Sequence, residues 1–344
     1  MPAHRCRTGH GRLRRGRLER HLSPQRDVGR QPQRGGRCAR LHPRPLAEQS
    51  AATDYRSLIF ATSCQAAVRS MKTVLIAEIG ENHYGRWDVC RGMVEEVAAG
   101  GAAVAKFQTY TADQFGTDHP WHDWFQTVEM PQDVHFQMQQ LCRDRSIEFL
   151  SSTFTRRSTD FLVEQMGLNS LKLASSRITD HGLLGYVNRY RERVKTVYLS
   201  TGGATTAEIR EAVHCLRDIE NLTLLHCVSQ YPTEDANVNL RAIRTMQREF
   251  PEHRIGYSDH SRGIEACLAA VAMGAEVLEK HFSYHTRMPG DDHQGALTPE
   301  SLRCLVDQVS RLEVMLGSDH KGPVADEQQA LAHLRVEMRE VDFD

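Results

Sequence analysis

Two consecutive apolar segments in the last third of the chain end in histidine. Ile255-Gly256-Tyr257-Ser258 leads into Asp259-His260, and Ala275-Glu276-Val277-Leu278 leads into Glu279-Lys280-His281. Each segment has the length and composition of a buried β-strand. Neighbouring strands that end in metal-binding side chains are a common way to build a divalent-ion site at the carboxyl rim of a barrel. The pair therefore predicts a barrel with a metal site at that rim.

From Met71 onward the chain alternates short apolar segments with amphipathic ones. The apolar segments predict strands at Val74–Ile79, Ala103–Gln108, Glu148–Ser151, Ser170–Leu173, Thr196–Ser200, Leu222–Cys227, Ile255–Ser258 and Val277–His281. The amphipathic segments predict helices at Val89–Ala99, Val134–Arg145, Thr205–Asp218, Leu240–Glu249, Ile264–Met273 and Pro299–Leu316. Eight strands with helices between them in about 250 residues indicate an α/β fold, a (β/α)8 TIM barrel. A doubly wound open sheet is the alternative, but its usual Gly-rich first turn is absent.

Two connections are long enough to form part of a site. Thr109–Gln132 is rich in aromatic residues, and Ser283–Leu297 contains Pro289-Gly290-Asp291-Asp292. A long loop at a barrel rim is more often a lid or a substrate wall than a simple connection. We expect the barrel domain to occupy residues 71–318, followed at 319–344 by a linker and a short polar helix.

Residues 1–70 differ in composition from the rest. They contain fifteen Arg, no Lys and four acids, which leaves a net charge of −12 for residues 71–344 within the total of −1. The segment has no helical period, no continuous apolar stretch and no interleaved aromatics. We expect a low-complexity extension that is disordered or reflects a misassigned start. A targeting leader and a functional basic arm are the alternatives.

Composition also excludes several classes of protein. No apolar run approaches the roughly 18 residues of a membrane span. The nine cysteines are scattered without a C-x-x-C pair, so neither a zinc site nor a disulfide framework is indicated. We expect a cytoplasmic protein with small-molecule substrates and no nucleic-acid or membrane partner.

Polar residues recur at the carboxyl ends of the predicted strands. They are Glu78, Lys106, Gln108, Ser152, Lys172, Ser175, Ser200, His226, Ser258, His260 and His281. Because the centre of a packed barrel prefers apolar side chains, so many polar residues at matching positions indicate a site. A single histidine at a strand end is usually structural, and that interpretation stays open for His226. Lys280 has the opposite parity to His281, so we expect it to face the helices in a structural ion pair.

Two lysines stand among the hydroxyls of this set. Lys106 and Lys172, with several serines nearby, form a receptor suited to a phosphate or a phosphate-carboxylate ligand. Imidazoles with open coordination positions suit Mn²⁺, Mg²⁺ or Zn²⁺. The lysines could instead pair with core acids or form a Schiff base.

The motifs, taken together, resemble the N-acetylneuraminate (sialic acid) synthase family of phosphoenolpyruvate-condensing barrel enzymes. The matching segments are Ala77-Glu78-Ile79-Gly80-Glu81-Asn82-His83, Ala105-Lys106-Phe107-Gln108, Phe149-Leu150-Ser151-Ser152-Thr153-Phe154, Leu171-Lys172-Leu173-Ala174-Ser175, Leu199-Ser200-Thr201-Gly202, Leu225-His226-Cys227, Tyr231-Pro232-Thr233, Gly256-Tyr257-Ser258-Asp259-His260, Glu279-Lys280-His281-Phe282 and Pro289-Gly290-Asp291-Asp292-His293. Each segment is short, but they occur in order from Val74 to about Pro323.

The resemblance implies roles for individual residues. His260 and His281 would bind Mn²⁺ or Mg²⁺. The phosphoenolpyruvate pocket would consist of Lys106, Ser152, Lys172, Ser175, Ser200 and Ser258. The acceptor-sugar and catalytic contacts would come from Glu78, Gln108, Tyr231 and Asp292. The implied reaction condenses phosphoenolpyruvate with an aldose, an open-chain N-acylmannosamine or an anionic variant, and releases phosphate. The family forms dimers, so the resemblance also implies a homodimer.

This sequence departs from the family pattern at three places. Ser175-Ser176-Arg177 replaces Ser-Gly-Glu, Ser229 replaces an Asn, and the sequence ends at Asp344 without the antifreeze-like domain that usually follows. We expect Arg177 at the rim to recognise a phosphate or carboxylate on the acceptor. Two alternatives to the synthase are a lysine Schiff-base aldolase or lyase, and a non-catalytic relative that serves as a regulatory or scaffold subunit.

Overall fold

The strands of the protein close into a parallel barrel, as a computed structural model describing residues 71–335 shows. The strands are β1 (Val74–Glu78), β2 (Val104–Thr109), β3 (Glu148–Thr153), β4 (Ser170–Leu173), β5 (Thr196–Ser200), β6 (Asn221–Cys227), β7 (Arg254–Asp259) and β8 (Val277–His281). Each strand pairs with the next one in sequence. Between β8 and β1 the register runs from Val74 opposite Val277 to Glu78 opposite His281. The (β/α)8 prediction is confirmed, and closure brings the first and last strand ends together.

Helices cover the outside of the barrel. They are α1 (Trp87–Ala99), α2 (His122–Val128), α3 (Gln132–Asp144), α4 (Arg156–Asp160), α5 (His181–Asn188), α6 (Thr206–Cys215), α7 (Ala242–Glu249), α8 (Glu265–Ala272), α9 (Asp291–Gln294), α10 (Pro299–Leu316) and α11 (Ala325–Leu334). Local sequence explains several of the boundaries. Thr205 caps α6 with Glu208 in a capping box, and α10 begins with Pro299 after its cap Thr298.

The described core has two parts because side chains alternate along each strand. Outward residues such as Leu75 and Phe107 join the helices in a large apolar cluster. Inward residues form a separate small cluster inside the barrel, made of Ile76, Val104, Leu150, Tyr198, Leu225 and Val277. The residues two positions further along these strands are mostly polar. The barrel interior therefore has a lower layer of apolar side chains and, above it at the carboxyl ends of the strands, a layer of mostly polar side chains.

Lys280 faces the helix side of β8, as its parity predicts. Its Nζ lies 2.5 Å from Asp259 Oδ2 and 2.6 Å from the Ser261 carbonyl, and both charged side chains are fully buried. Asp259 also accepts hydrogen bonds from Tyr257 and Ser261. The predicted structural ion pair is confirmed, and it fixes the chain on either side of His260 and His281.

Some elements differ from the sequence predictions. The strand and helix boundaries that were predicted shift by a few residues at most, but α4 and α5 were not predicted. The Thr109–Gln132 connection contains a 3₁₀ turn at Ala112–Phe115 followed by α2. Within residues 319–344, where the sequence predicts a linker and a short polar helix, the structure has the helix α11 (Ala325–Leu334). Residues 1–70 lie outside the described residues, so the predicted domain boundaries stay predictions. Of the helices that the structure describes, none has both the length and the apolar character needed to cross a membrane.

Candidate active site

A cavity of about 330 Å³ opens at the carboxyl ends of the strands. Its wall includes twelve of the thirteen predicted site residues: Glu78, Lys106, Gln108, Ser152, Lys172, Ser175, Ser200, Tyr231, Ser258, His260, His281 and Asp292. Every strand contributes a wall residue, either directly or through the loop that follows it. Apart from His226, the polar strand ends identified in the sequence therefore converge on one site.

Four alternating charges form the floor of this cavity. Lys106 Nζ lies 2.5 Å from Glu78 Oε2 and 3.9 Å from Glu279 Oε2, and Lys172 Nζ lies 3.2 Å from Glu279 Oε1. All four side chains are at most 7% exposed. This geometry is compatible with both predictions for the lysines. They pair with core acids, and they also line a pocket that could hold a ligand. Glu279 is shared by the two cations.

The same surroundings move the pKa values of the two acids in opposite directions. Burial raises the pKa of Glu78 to about 7, despite the neighbouring Lys106. Burial also acts against ionisation of Glu279, but Lys106 and Lys172 together outweigh it and hold its pKa at about 2. Glu279 is therefore a permanent anion, whereas Glu78 can gain or lose a proton near neutral pH. Burial lowers the pKa of Lys172.

Hydroxyl groups surround the two lysines. Lys106 Nζ donates to Ser152 Oγ at 3.2 Å, and Lys172 Nζ donates to Ser200 Oγ at 2.8 Å. Ser258 donates to Glu279 at 3.0 Å. Ser175 Oγ accepts from the backbone N–H of Gly202 at 3.0 Å, and an added Cβ at Gly202 would lie only 2.8 Å from that oxygen. The cradle combines two ammonium groups with movable hydroxyl donors, which suits an oxyanion.

The two histidines face each other above this cradle. Their ring centroids are 5.6 Å apart. His260 Nδ1 lies 2.8 Å from the Val228 carbonyl, so Nδ1 is the protonated nitrogen and Nε2 carries the free lone pair. His281 Nδ1 is buried without a hydrogen-bond partner and lies 3.6 Å from Asp292 Oδ2.

The chemistry of these donors fits a divalent cation. Burial, together with His281, lowers the pKa of His260 to about 4, and burial, together with Lys106, lowers the pKa of His281 to about 3. Both rings are therefore neutral at neutral pH, as a metal ligand requires. Within residues 71–335, no three His, Cys, Asp or Glu side chains converge as a ligand set. The protein thus offers two imidazoles, and the other coordination positions are open to water or substrate.

Three further predicted residues lie at the upper wall. Tyr231 packs on His260 with ring centroids 4.1 Å apart and remains 43% exposed. Gln108 Nε2 donates to Glu78 at 3.0 Å. Asp292 belongs to α9, in the connection after β8. These residues place an aromatic face, an amide and a carboxylate where a second substrate would approach the histidines.

Arg177 is the one predicted site residue that does not line the cavity. It ends a 3₁₀ turn at Ser175–Arg177, and its guanidinium lies 3.5 Å from Asp180, with the side chain 37% exposed. The turn directs Arg177 along the following chain while Ser175 faces the cavity. The predicted contact with an anionic acceptor therefore lacks support from this geometry.

The structure adds wall residues that the sequence analysis did not select. Glu279, Phe154, Ser229 and Cys227 line the cavity. Glu279 shares the parity of His281, and that signal could have identified it. At β6 the inward residue is Cys227, because His226 points outward, where it bonds to the Val238 carbonyl at 2.9 Å. The structural interpretation of His226 is confirmed.

A second cavity of about 530 Å³, here called the outer cavity, adjoins the first. Its wall consists of Glu81, Asn82, Tyr84, Trp121, Trp124, Phe125, Pro289, Gly290, Asp291, Asp292 and His293. Asp292 lines both cavities. Trp121, Trp124 and Phe125 of the Thr109–Gln132 connection thus line a cavity beside the site, and the role of that loop as a lid or substrate wall stays a prediction.

A model of the NeuB family matches residues 93–321. The chain belongs to the NeuB family. A relative in Campylobacter jejuni, N,N'-diacetyllegionaminic acid synthase, is 34% identical over 283 residues, which cover 77% of this chain and 83% of that protein. Human N-acetylneuraminate-9-phosphate synthase is 31% identical over 262 residues, which cover 72% of each protein.

Solved structures agree with this family membership. The N-acetylneuraminic acid synthetase of Leptospira borgpetersenii, solved with citrate, superposes with a TM-score of 0.71 at 33% identity, covering 76% of this chain and 90% of that one. The spore coat polysaccharide biosynthesis protein SpsE of Bacillus subtilis superposes with a TM-score of 0.63 at 33% identity, covering 75% and 76%. This NeuB-family protein is an enzyme, a synthase of the transferase type.

Proposed function

We propose that the protein condenses phosphoenolpyruvate with an aldose to give a 2-keto-3-deoxy sugar acid and inorganic phosphate, with a divalent cation bound by His260 and His281. The observation that carries this proposal is a lysine-and-hydroxyl cradle lying beside two neutral imidazoles in one cavity. An enol phosphate and a polarised carbonyl group need these two environments next to each other.

Phosphoenolpyruvate would bind in the cradle. Lys106 and Lys172 would contact its phosphate and carboxylate, and the hydroxyls of Ser152, Ser175, Ser200 and Ser258 would complete the contacts. Glu279 holds both lysines in place before the substrate arrives. Such preorganisation reduces the cost of ordering the site on binding.

The aldose would bind on the opposite side, between the histidines, Tyr231, Gln108 and Asp292. The cation held by the two histidines would be Mn²⁺ or Mg²⁺, which carboxylate and water ligands suit. When bound, it would polarise the aldehyde oxygen as a Lewis acid. Tyr231 would hold the acyl or carbon chain of the aldose against its ring, and Asp292 would accept hydrogen bonds from hydroxyl groups.

The bond changes balance without a redox partner. The C3 atom of phosphoenolpyruvate attacks the aldehyde carbon, a C–C bond forms, and the former aldehyde oxygen takes up a proton. Water adds at C2 and loses one proton. The C2–O bond to phosphate then breaks as the C2 hydroxyl becomes the ketone and its proton passes to the departing phosphate. The products are the 2-keto-3-deoxy acid and inorganic phosphate.

Glu78 would donate and accept the protons that these reaction steps require. A pKa of about 7 means that the group is substantially protonated at neutral pH, so it can donate to the developing alkoxide. The resulting carboxylate can then accept a proton from the attacking water. Gln108, which donates to Glu78 at 3.0 Å, would hold the carboxyl group in position.

A phosphate-release assay tests the proposal. Phosphoenolpyruvate and Mn²⁺ should give inorganic phosphate with at least one aldose from a panel of neutral and anionic sugars, and a chelator should stop the reaction. His260→Ala and His281→Ala should weaken Mn²⁺ binding, measured directly by calorimetry. If wild-type protein binds no Mn²⁺ and releases no phosphate with any aldose, the proposal is wrong and a non-catalytic role is favoured.

A lysine Schiff-base aldolase or lyase is the second candidate. The observation that favours it is the lowered pKa of Lys172, since a neutral amine is the nucleophile in such enzymes. Borohydride trapping of a substrate adduct on Lys172 without phosphate release would support this function. Its ion pair with Glu279 at 3.2 Å argues for a charged lysine instead.

We also propose the domain assignment given above, with the barrel at residues 71–318, and a cytoplasmic location, which fits the free thiols of the described cysteines. A homodimer is part of the same proposal and is tested by light scattering.

A further inference from the structure

We infer that the outer cavity binds the distal end of the acceptor, and that it selects an uncharged end bearing hydroxyl or amide groups over a phosphorylated one. This inference rests on the proposed function, because it assigns a second part to the same acceptor site. It concerns which aldose is used, and it involves residues outside the phosphoenolpyruvate cradle.

The position of the outer cavity makes it the continuation of the acceptor site. Asp292 lines both cavities, and His281 Nδ1 lies 3.6 Å from its carboxylate. An aldose whose aldehyde lies near the histidines would direct its remaining carbons past Asp292. The volume of about 530 Å³ lies in the range of ligand pockets.

Aromatic side chains form part of the outer-cavity wall, and packing fixes several of them. Tyr84 stacks on His293 with ring centroids 5.2 Å apart and meets Trp124 edge-on at 5.6 Å. The Tyr84 hydroxyl donates to the Pro289 carbonyl. Flat aromatic faces are suited to the C–H surfaces of sugars and acyl methyl groups, and this arrangement holds them in place before binding.

Glu81 is the polar centre of this wall. Trp124 Nε1 donates to its Oε2 at 2.6 Å, and the Tyr110 hydroxyl donates to its Oε1 at 2.5 Å. These two hydrogen bonds fix the orientation of the Glu81 carboxyl group within the wall. Each of its oxygens can still accept one more hydrogen bond. A hydroxyl or amide N–H of the acceptor can donate to it.

The charges of the wall exclude a phosphate. The lining residues include the acids Glu81, Asp291 and Asp292, and none of the described lining residues is Lys or Arg. Burial lowers the pKa of His293, so it supplies no cation at neutral pH. Burial raises the pKa values of Glu81 and Asp292, and none of the described lining residues is a cationic counterion. A phosphorylated end would therefore be desolvated without a cationic partner, which is unfavourable, whereas a neutral end meets no such penalty.

The test compares an N-acylmannosamine with its 6-phosphate in the phosphate-release assay, using the full chain. We expect kcat/KM for the neutral sugar to exceed that for the phosphorylated one by about tenfold or more, as like-charge exclusion predicts. Trp124→Ala should raise the KM for the neutral acceptor about tenfold, since a half-buried aromatic ring of the cavity wall is lost. The KM for phosphoenolpyruvate serves as the internal reference.

Three further variants and a fluorescence measurement separate binding from folding. Trp124→Phe keeps the aromatic wall and should restore most of the affinity. Trp87→Phe, at the start of α1 and outside both cavities, is the matched control and should leave the acceptor KM unchanged. Asp291→Lys, at an exposed position, should improve use of the 6-phosphate relative to the neutral sugar. Acceptor-induced quenching of tryptophan fluorescence reports binding independently of turnover.

The outcomes distinguish the two proposals. Preference for the 6-phosphate, or an unchanged acceptor KM in Trp124→Ala, overturns this inference and leaves the proposed condensation intact. Absence of phosphate release with every aldose overturns the proposed function and this inference with it. Preference for the neutral sugar, lost on removal of the indole, supports both.

Discussion

Glu78 and Glu279 lie on the neighbouring strands β1 and β8, with Glu78 opposite His281 and Glu279 opposite Ile76, yet only Glu78 titrates near neutral pH. Its pKa of about 7 means that the proton-donating form declines as the pH rises through 7. We therefore predict that log kcat/KM falls with a midpoint near pH 7 on the alkaline side. Glu78→Gln should lower kcat by about 100-fold or more and abolish this limb, since general acid catalysis contributes at that level.

A pH–rate profile of wild type and Glu78→Gln checks this prediction. An alkaline limb that persists unchanged in the variant would assign the titration to another group. Binding of phosphoenolpyruvate, followed by calorimetry, controls for a general loss of structure in the cavity floor.

Lys280 is a residue whose removal should affect stability. It neutralises the fully buried Asp259, and Lys280→Met would leave that carboxylate unpaired. We predict a loss of about 3–5 kcal/mol in the free energy of unfolding, the usual effect of breaking a buried pair. Urea denaturation measures it.

Lys195→Met is the matched control for Lys280→Met. Lys195 and Glu220 are both largely exposed, with 3.7 Å between the charged atoms. Solvent screening makes such a pair weak, so this variant should unfold at nearly the wild-type urea concentration. If both variants lowered the free energy of unfolding equally, the burial of the Lys280–Asp259 pair would not account for the loss of stability.

Most of the site could be predicted residue by residue, because the alternation of side chains along a strand is a local property. Glu78, Lys106 and His281 line the cavity as their parity predicts. At β6 the inward residue is Cys227 rather than His226, and Cys227 was not among the polar strand ends selected from the sequence. Arg177 could not be placed, since the short turn after β4 sets its direction and no periodic pattern describes that turn.

At the scale of single elements, β7 depends on the lack of a side chain at Gly256. A Cβ added there would lie 2.6 Å from Leu225 Cδ2 and 2.6 Å from the Val277 carbonyl oxygen. We predict that Gly256→Ala lowers the free energy of unfolding by about 1–3 kcal/mol, as overpacking of a closed interior does. The melting temperature, read by circular dichroism, measures this effect.

Gly185 provides the contrasting substitution. It lies within α5, and an added Cβ would meet nothing within 4 Å. Gly185→Ala should therefore stabilise the protein by about 0.5–1 kcal/mol through the higher helix propensity of alanine. If Gly185→Ala and Gly256→Ala both lowered the free energy of unfolding, the space around the added Cβ would not determine the effect of a glycine substitution on stability.

The elements that were missed share a physical cause. α4 is short and rich in Ser and Thr, and it is defined by the cap at Thr155 and by a wider helical turn at Phe161–Gln165. α5 contains a glycine and spans only His181–Asn188. Neither is long enough to show an apolar period in the sequence. The longest helix, α10, was predicted with its bounds correct, because two caps and several turns specify it.

At the scale of the whole molecule, the first strand of the closed barrel, β1, begins at Val74 and pairs with β8. Before that strand, the backbone N–H groups of Lys72 and Thr73 donate to Glu313 of α10 at 2.9 and 2.7 Å. We predict that a chain starting at Met71 keeps the melting temperature and the phosphate-release activity of the full chain, because these contacts are retained. A truncated protein that fails to fold or loses activity would assign a role to residues 1–70.

Glu279 has a consequence for how the enzyme behaves among the many anions of a cell. While the cradle holds no ligand, this carboxylate already satisfies Lys106 and Lys172 at 3.9 and 3.2 Å, so the two ammonium groups do not present an uncompensated positive field. Sulfate or free phosphate must compete with an internal carboxylate and gains little by doing so. A ligand with two anionic groups at the correct separation can engage both lysines at once. We therefore expect Glu279 to favour binding of a doubly anionic ligand over binding of simple salts.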